Sequence, residues 1–516
     1  MAIRMEKDPV QGPGRPDRGN NNSGSGAAGM LIKALPLLLI FIAKRPKLLI
    51  PVLLIGAVWY FFLGGSEMLS GGAGGSDSYS FGATLSEEEY YKAEVFEPLV
   101  LGQGNKLPLS VSLAKYAPRR MQQGRQGSCI GWASAYGART ILQAQATGQD
   151  PNSLAFSPAY LYNQIALEGC QGAYMQDAMQ AMVQNGALPF RQFPYDERTC
   201  ASEPRSNQIQ AGQQYRIRGY NRLTYGERDY RPDIQGIKQH LAQGAPVVIG
   251  MMVGGTFMSR MLGQKVWYPS SADYSMQGYS GHAMCVIGYD DNLEGGAFQI
   301  MNSWGEEWGD RGIAWVRYRD FERFTKEAYG LHPMGKAGQT TDDARMAVEF
   351  GLLDMATQKT IPLKQREDII FQSASPIRKG DKFKVLIANT VECYVYVLAE
   401  EADGSSSVLF PYTDKHSPYC GITGTRLFPK DYSMTADAVG NKDRIAIVVS
   451  KQQLDFKKLN AAINSSRQRS YAEKLKEVLG NQRITNIGFQ AGATVAFEAQ
   501  TQGKNAVGMV VELDKR

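Results

Sequence analysis

Cys129, His282 and Asn302 are the residues whose types and spacing carry chemistry in this 516-residue chain. Cys129 follows a Gly-rich turn in MQQGRQGSCIGWASAYGARTILQAQATG, where Ser128 is a helix N-cap, Cys129 opens the first turn and Gly148 ends the helix. A thiol there feels the positive end of the helix dipole, which favours the thiolate. Gln123, six residues upstream, lies on the turn that wraps the same helix end, and its amide can donate toward an oxyanion beside the Cys129 N–H. Far downstream, GYSGHAMCVIGYDD puts His282 just before an alternating strand over 283–289, and the next strand, in GAFQIMNSWGEEWGDRG, ends at Asn302. A turn over 290–296 between two adjacent antiparallel strands brings His282 and Asn302 together. The Asn carbonyl then holds one ring nitrogen and aims the other at sulfur. No C-x-x-C, H-x-x-x-H or H-E-x-x-H occurs, so a zinc site has nothing to start from, and no cofactor is called for.

These stretches resemble the papain-like cysteine peptidases, whose pattern is Q-G-x-C-G-S-C around the nucleophile, G-H-A before a strand, and N-S-W-G-x-x-W-G. The chain has Gln123-Gly124-Arg125-Gln126-Gly127-Ser128-Cys129, then Gly281-His282-Ala283, then Asn302-Ser303-Trp304-Gly305-Glu306-Glu307-Trp308-Gly309. The resemblance covers about 107–330, opens at Leu107-Pro108, and takes in a mid-domain helix region over 168–200. It implies an α+β fold with a helical lobe and an antiparallel β-barrel lobe. It also implies Cys129 as nucleophile, His282 as general base and then acid, Asn302 as the residue orienting the imidazole, and Gln123 as the oxyanion donor. Trp304 would shield the His–Asn bond, while Gly172, Ala173 and Gly281 would line the substrate wall. A thiolate–imidazolium pair would hold the Cys pKa near ~3–4.

Departures from the pattern are Gln126 in place of a cysteine, Ile130 in place of tryptophan (with an aromatic at Trp132), Gly281 before the histidine, and Ala173 in place of a glycine. Cys170 and Cys200 keep family cysteine positions without their usual partners, so the resemblance implies that they pair with each other. Cys285 reads as a core thiol.

Hydrophobic content of 43% and charged content of 21% exclude wholesale disorder, collagen and a multi-span membrane protein. Net charge is +6, and residues before 48 hold eight basic against three acidic side chains, so the remainder is near neutral and no nucleic-acid surface is indicated. Residues 1–30 read as a disordered basic tail and 31–64 as a membrane anchor, with a charge-free span over about 48–64. The basic N-terminal side, with seven acidic residues over 64–99, predicts a single pass with a cytoplasmic N-terminus and the bulk outside, in a bacterial inner membrane.

Residues 65–106 read as a Gly/Ser tether plus a short acidic segment, LSEEEYYKAEVFEPL, which is too short for a long inhibitory propeptide. The domain over 107–335 is followed by a β-rich accessory domain over 336–516, a small antiparallel sandwich with one amphipathic helix near 456–480. It resembles a β-rich domain of unknown function from bacterial surface and signalling proteins, through Gly380-Asp381, Tyr394-Val395-Tyr396, Asp403-Gly404 and Leu409-Phe410-Pro411. Cys393 and Cys420 are candidates for a second disulfide. The leading reading is a membrane-anchored endopeptidase taking a peptide or protein substrate, with a protein partner possible at the β-domain. The alternatives are an acyl transferase on the same site and an adaptor whose peptidase fold only grips peptides.

Overall fold

The computed structural model describes residues 3–8, 80–95, 97–100, 106–225, 230–334 and 344–516. The expected span over 48–64 lies outside them, and among the described residues no helix is long and apolar enough to cross a membrane. Strand β1, Ile3–Lys7, lies in the stretch read as a disordered tail. Residues 80–84, read as part of the tether, are ordered as well, and helix α1, Glu87–Lys92, falls in the short acidic segment. Ser86 caps α1 by accepting from the Glu89 N–H at 3.3 Å, and Glu87, Glu88 and Glu89 complement the positive end of the helix.

The first domain places helices before strands. Cys129–Gly131 runs into a π-helical stretch, Trp132–Arg139, and then Thr140–Thr147, one long buried helix α2 that ends at the left-handed Gly148. Helix α3 is Met175–Gln184 and α4 is Ile234–Ala242. The sheet is formed by β2 (Val247–Val253), β3 (Ser280–Asp290), β4 (Ala297–Met301), β5 (Ile313–Arg317) and β6 (Thr325–Leu331). Its order is β6-β2-β3-β4-β5, with Tyr220–Arg222 beyond β6 and Ser110–Ser112 against β3. All these pairs are antiparallel, as expected. Cys170 and Cys200 form the expected disulfide.

The second domain consists of β7 (Arg345–Asp354), β8 (Lys382–Asn389), β9 (Cys393–Glu400), β10 (Ser406–Phe410), β11 (Gly424–Phe428), β12 (Tyr432–Ala436) and β13 (Lys442–Ser450), followed by helices α5 (Phe456–Ser465) and α6 (Tyr471–Leu479), then β14 (Val495–Gln500) and β15 (Ala506–Asp514). Two sheets enclose one core. Alternation sends Phe383, Val385 and Ile387 into it together with Val395 and Val397, while Tyr396 and Leu398 face the helices.

Two details differ from expectation, and a third concerns a cysteine pairing that the sequence leaves open. Ile370–Ser373 pairs with β15 in parallel, so the sandwich is mixed. The single helix is two, because Ser470 accepts from the Glu473 N–H and starts a second helix after Ser466. Cys393 and Cys420 face each other in register yet remain thiols.

β1 pairs antiparallel with β12 from Ile3↔Ala436 to Lys7↔Tyr432, and Asp8 ion-pairs the buried Lys384 at 2.6 Å. This pairing needs both strands on one side of any membrane.

The segment from Glu94 to Val100 lies between the two domains. Arg222 N–H donates to Glu94 O, Val95 N–H to Lys415 O, Ser417 N–H to Val95 O, Arg426 Nε to Glu97 O, and Val100 N–H to Thr425 O. α1 docks through Tyr90, whose hydroxyl donates to Thr224 at 2.8 Å and whose ring lies 4.3 Å from the Arg222 guanidinium.

Below Arg222, Glu327 of β6 is buried, and burial raises its pKa to about 8 against the partial help of Arg222. The folded chain therefore holds this proton between its ordinary value of 4.5 and about 8, and that contribution to stability is lost as pH rises through the window. Thermal melts at pH 5 and pH 8 are expected to show a smaller drop in Tm for Glu327→Gln than for the wild type. Equal drops would mean that Glu327 is ionised throughout.

Candidate active site

Cys129 begins α2 directly after the turn, as its Ser-Cys sequence predicts, but Ser128 does not cap with its side chain. Its hydroxyl bonds the Tyr195 hydroxyl at 2.6 Å instead. His282 sits within β3, in register with Met251, and Asn302 follows β4 immediately. The turn over 290–296 returns the chain so that Cys285 pairs with Met301, which carries Asn302 back beside His282. The result is a hydrogen bond of 2.7 Å between His282 Nε2 and Asn302 Oδ1, the same oxygen also accepting from the Ser303 N–H at 2.8 Å. Two acceptor bonds fix the amide, so its oxygen faces the ring, His282 Nε2 is the donor, and Nδ1 carries the lone pair. Trp304 stacks on the imidazole, centroids 4.4 Å apart and planes 26° apart.

The Gln123 side chain is equally constrained. Ser303 Oγ donates to its Oε1 at 2.6 Å, and its Nε2 donates to Gln126 O at 3.0 Å. Tyr195 donates to the Gln123 carbonyl at 2.7 Å. Around the sulfur, the Ala283 N–H lies at 3.3 Å, and amides of Ile130, Cys129 and Ala83 also favour the thiolate.

The cleft is occupied by the chain itself. Thr84 N–H donates to Ala173 O at 3.0 Å and Ala173 N–H to Gly82 O at 2.9 Å, a parallel bridge at Ala83. Gly82 and Ala83 N–H groups both reach Gly281 O. Trp304 Nε1 donates to Ser80 O at 3.1 Å, and Phe81 sits edge-on to both His282 and Trp304. The predicted wall residues Gly172, Ala173, Gly281 and Trp304 thus all meet residues 80–84. The approach is so close that a Cβ on Gly281 would lie 2.1 Å from Ala83 O, and one on Gly172 2.7 Å from Gly82 O.

This cover sets the protonation state. Cys129 and His282 are both 0% exposed. Burial pushes the thiol up to about 12 and the imidazole down to about 4, despite the amides at sulfur and the Asn302 bond. The expected ionised pair is therefore a neutral thiol and a neutral imidazole in the covered site, and His282 Nδ1 has no hydrogen-bond partner among the described residues.

Sequence reasoning missed Phe81, Ser303 and Tyr195 as parts of the site. Phe81 is an aromatic within the Gly/Ser linker, a usable signal, and Ser303 lies inside the N-S-W-G motif. Tyr195 carries no local pattern. Cys285 is the buried core thiol expected.

Residues 113–330, which span this site, match the family model described as papain family cysteine protease. That match covers 218 of the 516 residues and includes Cys129, His282 and Asn302. The chain is 29% identical over 238 residues to a cysteine protease of Blomia tropicalis, covering 44% of this chain and 66% of that one. It is 28% identical over 218 residues to cathepsin K of Mus musculus, covering 40% and 59%. The chain thus spans less than two thirds of the length of these curated relatives. The solved structure of xylellain, a cysteine protease from Xylella fastidiosa, aligns at 22% identity and a TM-score of 0.41, over 50% of this chain and 97% of that one. Residues 377–453 match a domain of unknown function, DUF4384.

A side chain at Gly82 would place its Cβ 2.0 Å from the Gly127 carbonyl, at a φ of +151°. Gly82→Val is therefore expected to displace residues 80–84 from the peptidase cleft and speed alkylation of Cys129 by an epoxide reagent by roughly tenfold or more, read as intact mass against time. An unchanged rate would show that these residues do not limit access.

Proposed function

We propose that the chain is a latent cysteine endopeptidase, tethered to a bacterial membrane and acting outside the cytoplasm on proteins or peptides. The observation that carries the catalytic part is the 2.7 Å bond between His282 Nε2 and Asn302 Oδ1 beside a thiol at a helix start. Once residues 80–84 leave and water returns, His282 Nδ1 takes the Cys129 proton, and the thiolate is stabilised by the helix end and its amides. Sulfur attacks the scissile carbonyl. The oxyanion forms between the Cys129 N–H and the second N–H of the Gln123 amide, whose first N–H is bound to Gln126 O. The imidazolium then protonates the leaving amine, giving an acyl-enzyme that water hydrolyses with His282 as base. Asn302 holds the ring and Trp304 keeps water from the His–Asn bond.

The Cys170–Cys200 disulfide supports an oxidising, extracytoplasmic setting. Pairing of β1 with β12 supports a tether over 31–64 whose two flanks lie on the same side of the membrane.

Cys129→Ala is expected to abolish cleavage of a peptide library, and Gln123→Ala to lower kcat by about 10²–10³ with a smaller change in KM. Residual cleavage by Cys129→Ala would refute the nucleophile. For the tether, an N-terminal epitope is expected to be removed by external protease in intact cells, as is one at the C-terminus. A protected N-terminus beside an accessible C-terminus would restore the single crossing.

A further inference from the structure

A cavity of about 380 Å³ opens where the pre-segment, the peptidase domain and the β-domain meet, well within the size of small-molecule sites. Rings of Tyr225, Tyr412 and Tyr432 line it together with Val95, Pro98 and Pro429. Two carboxyl residues line this largely apolar space, the exposed Asp431 and the buried Glu97. Glu97 is 6% exposed, its main-chain carbonyl is held by Arg426 Nε at 2.9 Å, and its Oε1 has no hydrogen-bond partner among the described residues. A buried carboxyl oxygen without a donor is a costly arrangement, and a ligand that brings the donor relieves it.

The charges around it are Lys430 and Arg426, which favour the carboxylate, and Asp431, which opposes it. His416 is kept neutral by burial. Lys430 is engaged with Tyr225, its Nζ 3.3 Å from the hydroxyl and 5.0 Å from the ring centre. The same contact shows that the Tyr225 ring accepts an ammonium group. Burial outweighs both cations and raises Glu97 to about 8.

We propose that this cavity binds a small organic cation, a primary ammonium on an aromatic or apolar body, with the ammonium against the Glu97 carboxylate and the body among the tyrosines. Nothing in the papain-like chemistry requires such a site. It lies on the segment from Val95 to Pro98, away from Cys129, and uses residues of the accessory domain. A cation that pairs with Glu97 ionises it, so binding at neutral pH releases a proton.

Calorimetry on the full-length chain at pH 7, in two buffers of different ionisation heat, tests this with three matched probes: tyramine, neutral 4-ethylphenol and the anion 3-(4-hydroxyphenyl)propionate. Tyramine is expected to bind one site at least about tenfold tighter than the other two, with release approaching one proton. In Glu97→Gln that preference and the proton release are lost, while 4-ethylphenol binding is unchanged. Equal affinities for tyramine and 4-ethylphenol, a preference for the anion, or no saturable binding by tyramine would each overturn the proposal. The proton release is read on the wild-type chain, so the test stands even if the variant folds poorly.

Discussion

Desolvation of the Cys129–His282 pair is the constraint on which the rest of the structure turns. A thiolate and an imidazolium attract each other, but creating them from neutral groups in a site without water costs more than the helix end and a few amides return. Residues 80–84 remove that water by pairing with the backbone of Ala173 and Gly281. The site is thereby assembled in position and held in its neutral form at once. The Ala83 amide that pairs with Gly281 O is also near enough to the sulfur to favour the thiolate.

A five-residue plug needs an anchor, and the described contacts place one downstream of it. Downstream, α1 buries Tyr90 against Arg222 and Thr224, and the segment from Glu94 to Val100 bonds to both domains. Gln239 closes both backbone groups of Leu99, at 3.1 and 2.7 Å. The accessory β-domain therefore contributes to holding the pre-segment, through Lys415, Ser417, Thr425 and Arg426. Contact between the domains is direct as well, through Gln243 with Thr423 and an Arg218–Glu392 ion pair of 2.6 Å.

What the sequence disclosed follows from how locally each feature is encoded. Cys129, His282 and Asn302 lie in short motifs at an element start, within a strand and just past a strand end, so spacing and period were enough to bring them together. Alternation likewise assigned the two faces of β8 and β9. The plug was illegible because Ser-Phe-Gly-Ala-Thr has neither strand alternation nor helical period. Its conformation is imposed by the cleft, through Gly82 at a φ that few other residues adopt. The cover over Cys129 and His282, and hence their neutral state, depended on that one missed contact. β1 did carry a signal, apolar and charged residues alternating from Ile3 to Glu6, but it lay within a Pro- and Gly-rich tail whose composition pointed the other way. The parallel pairing of Ile370–Ser373 with β15 joins strands about 140 residues apart, beyond the reach of any local pattern.

The most direct measurement of the central claim is amide hydrogen exchange at Gly82, Ala83 and Thr84, followed by mass spectrometry of the resting chain and of the chain alkylated at Cys129. If this segment closes a pre-assembled cysteine peptidase site, its amides are protected at rest and exchange freely once the alkylating group occupies the cleft. Fast exchange at rest would contradict the account, because the cleft would then stand open and the neutral state of Cys129 and His282 would have lost its cause.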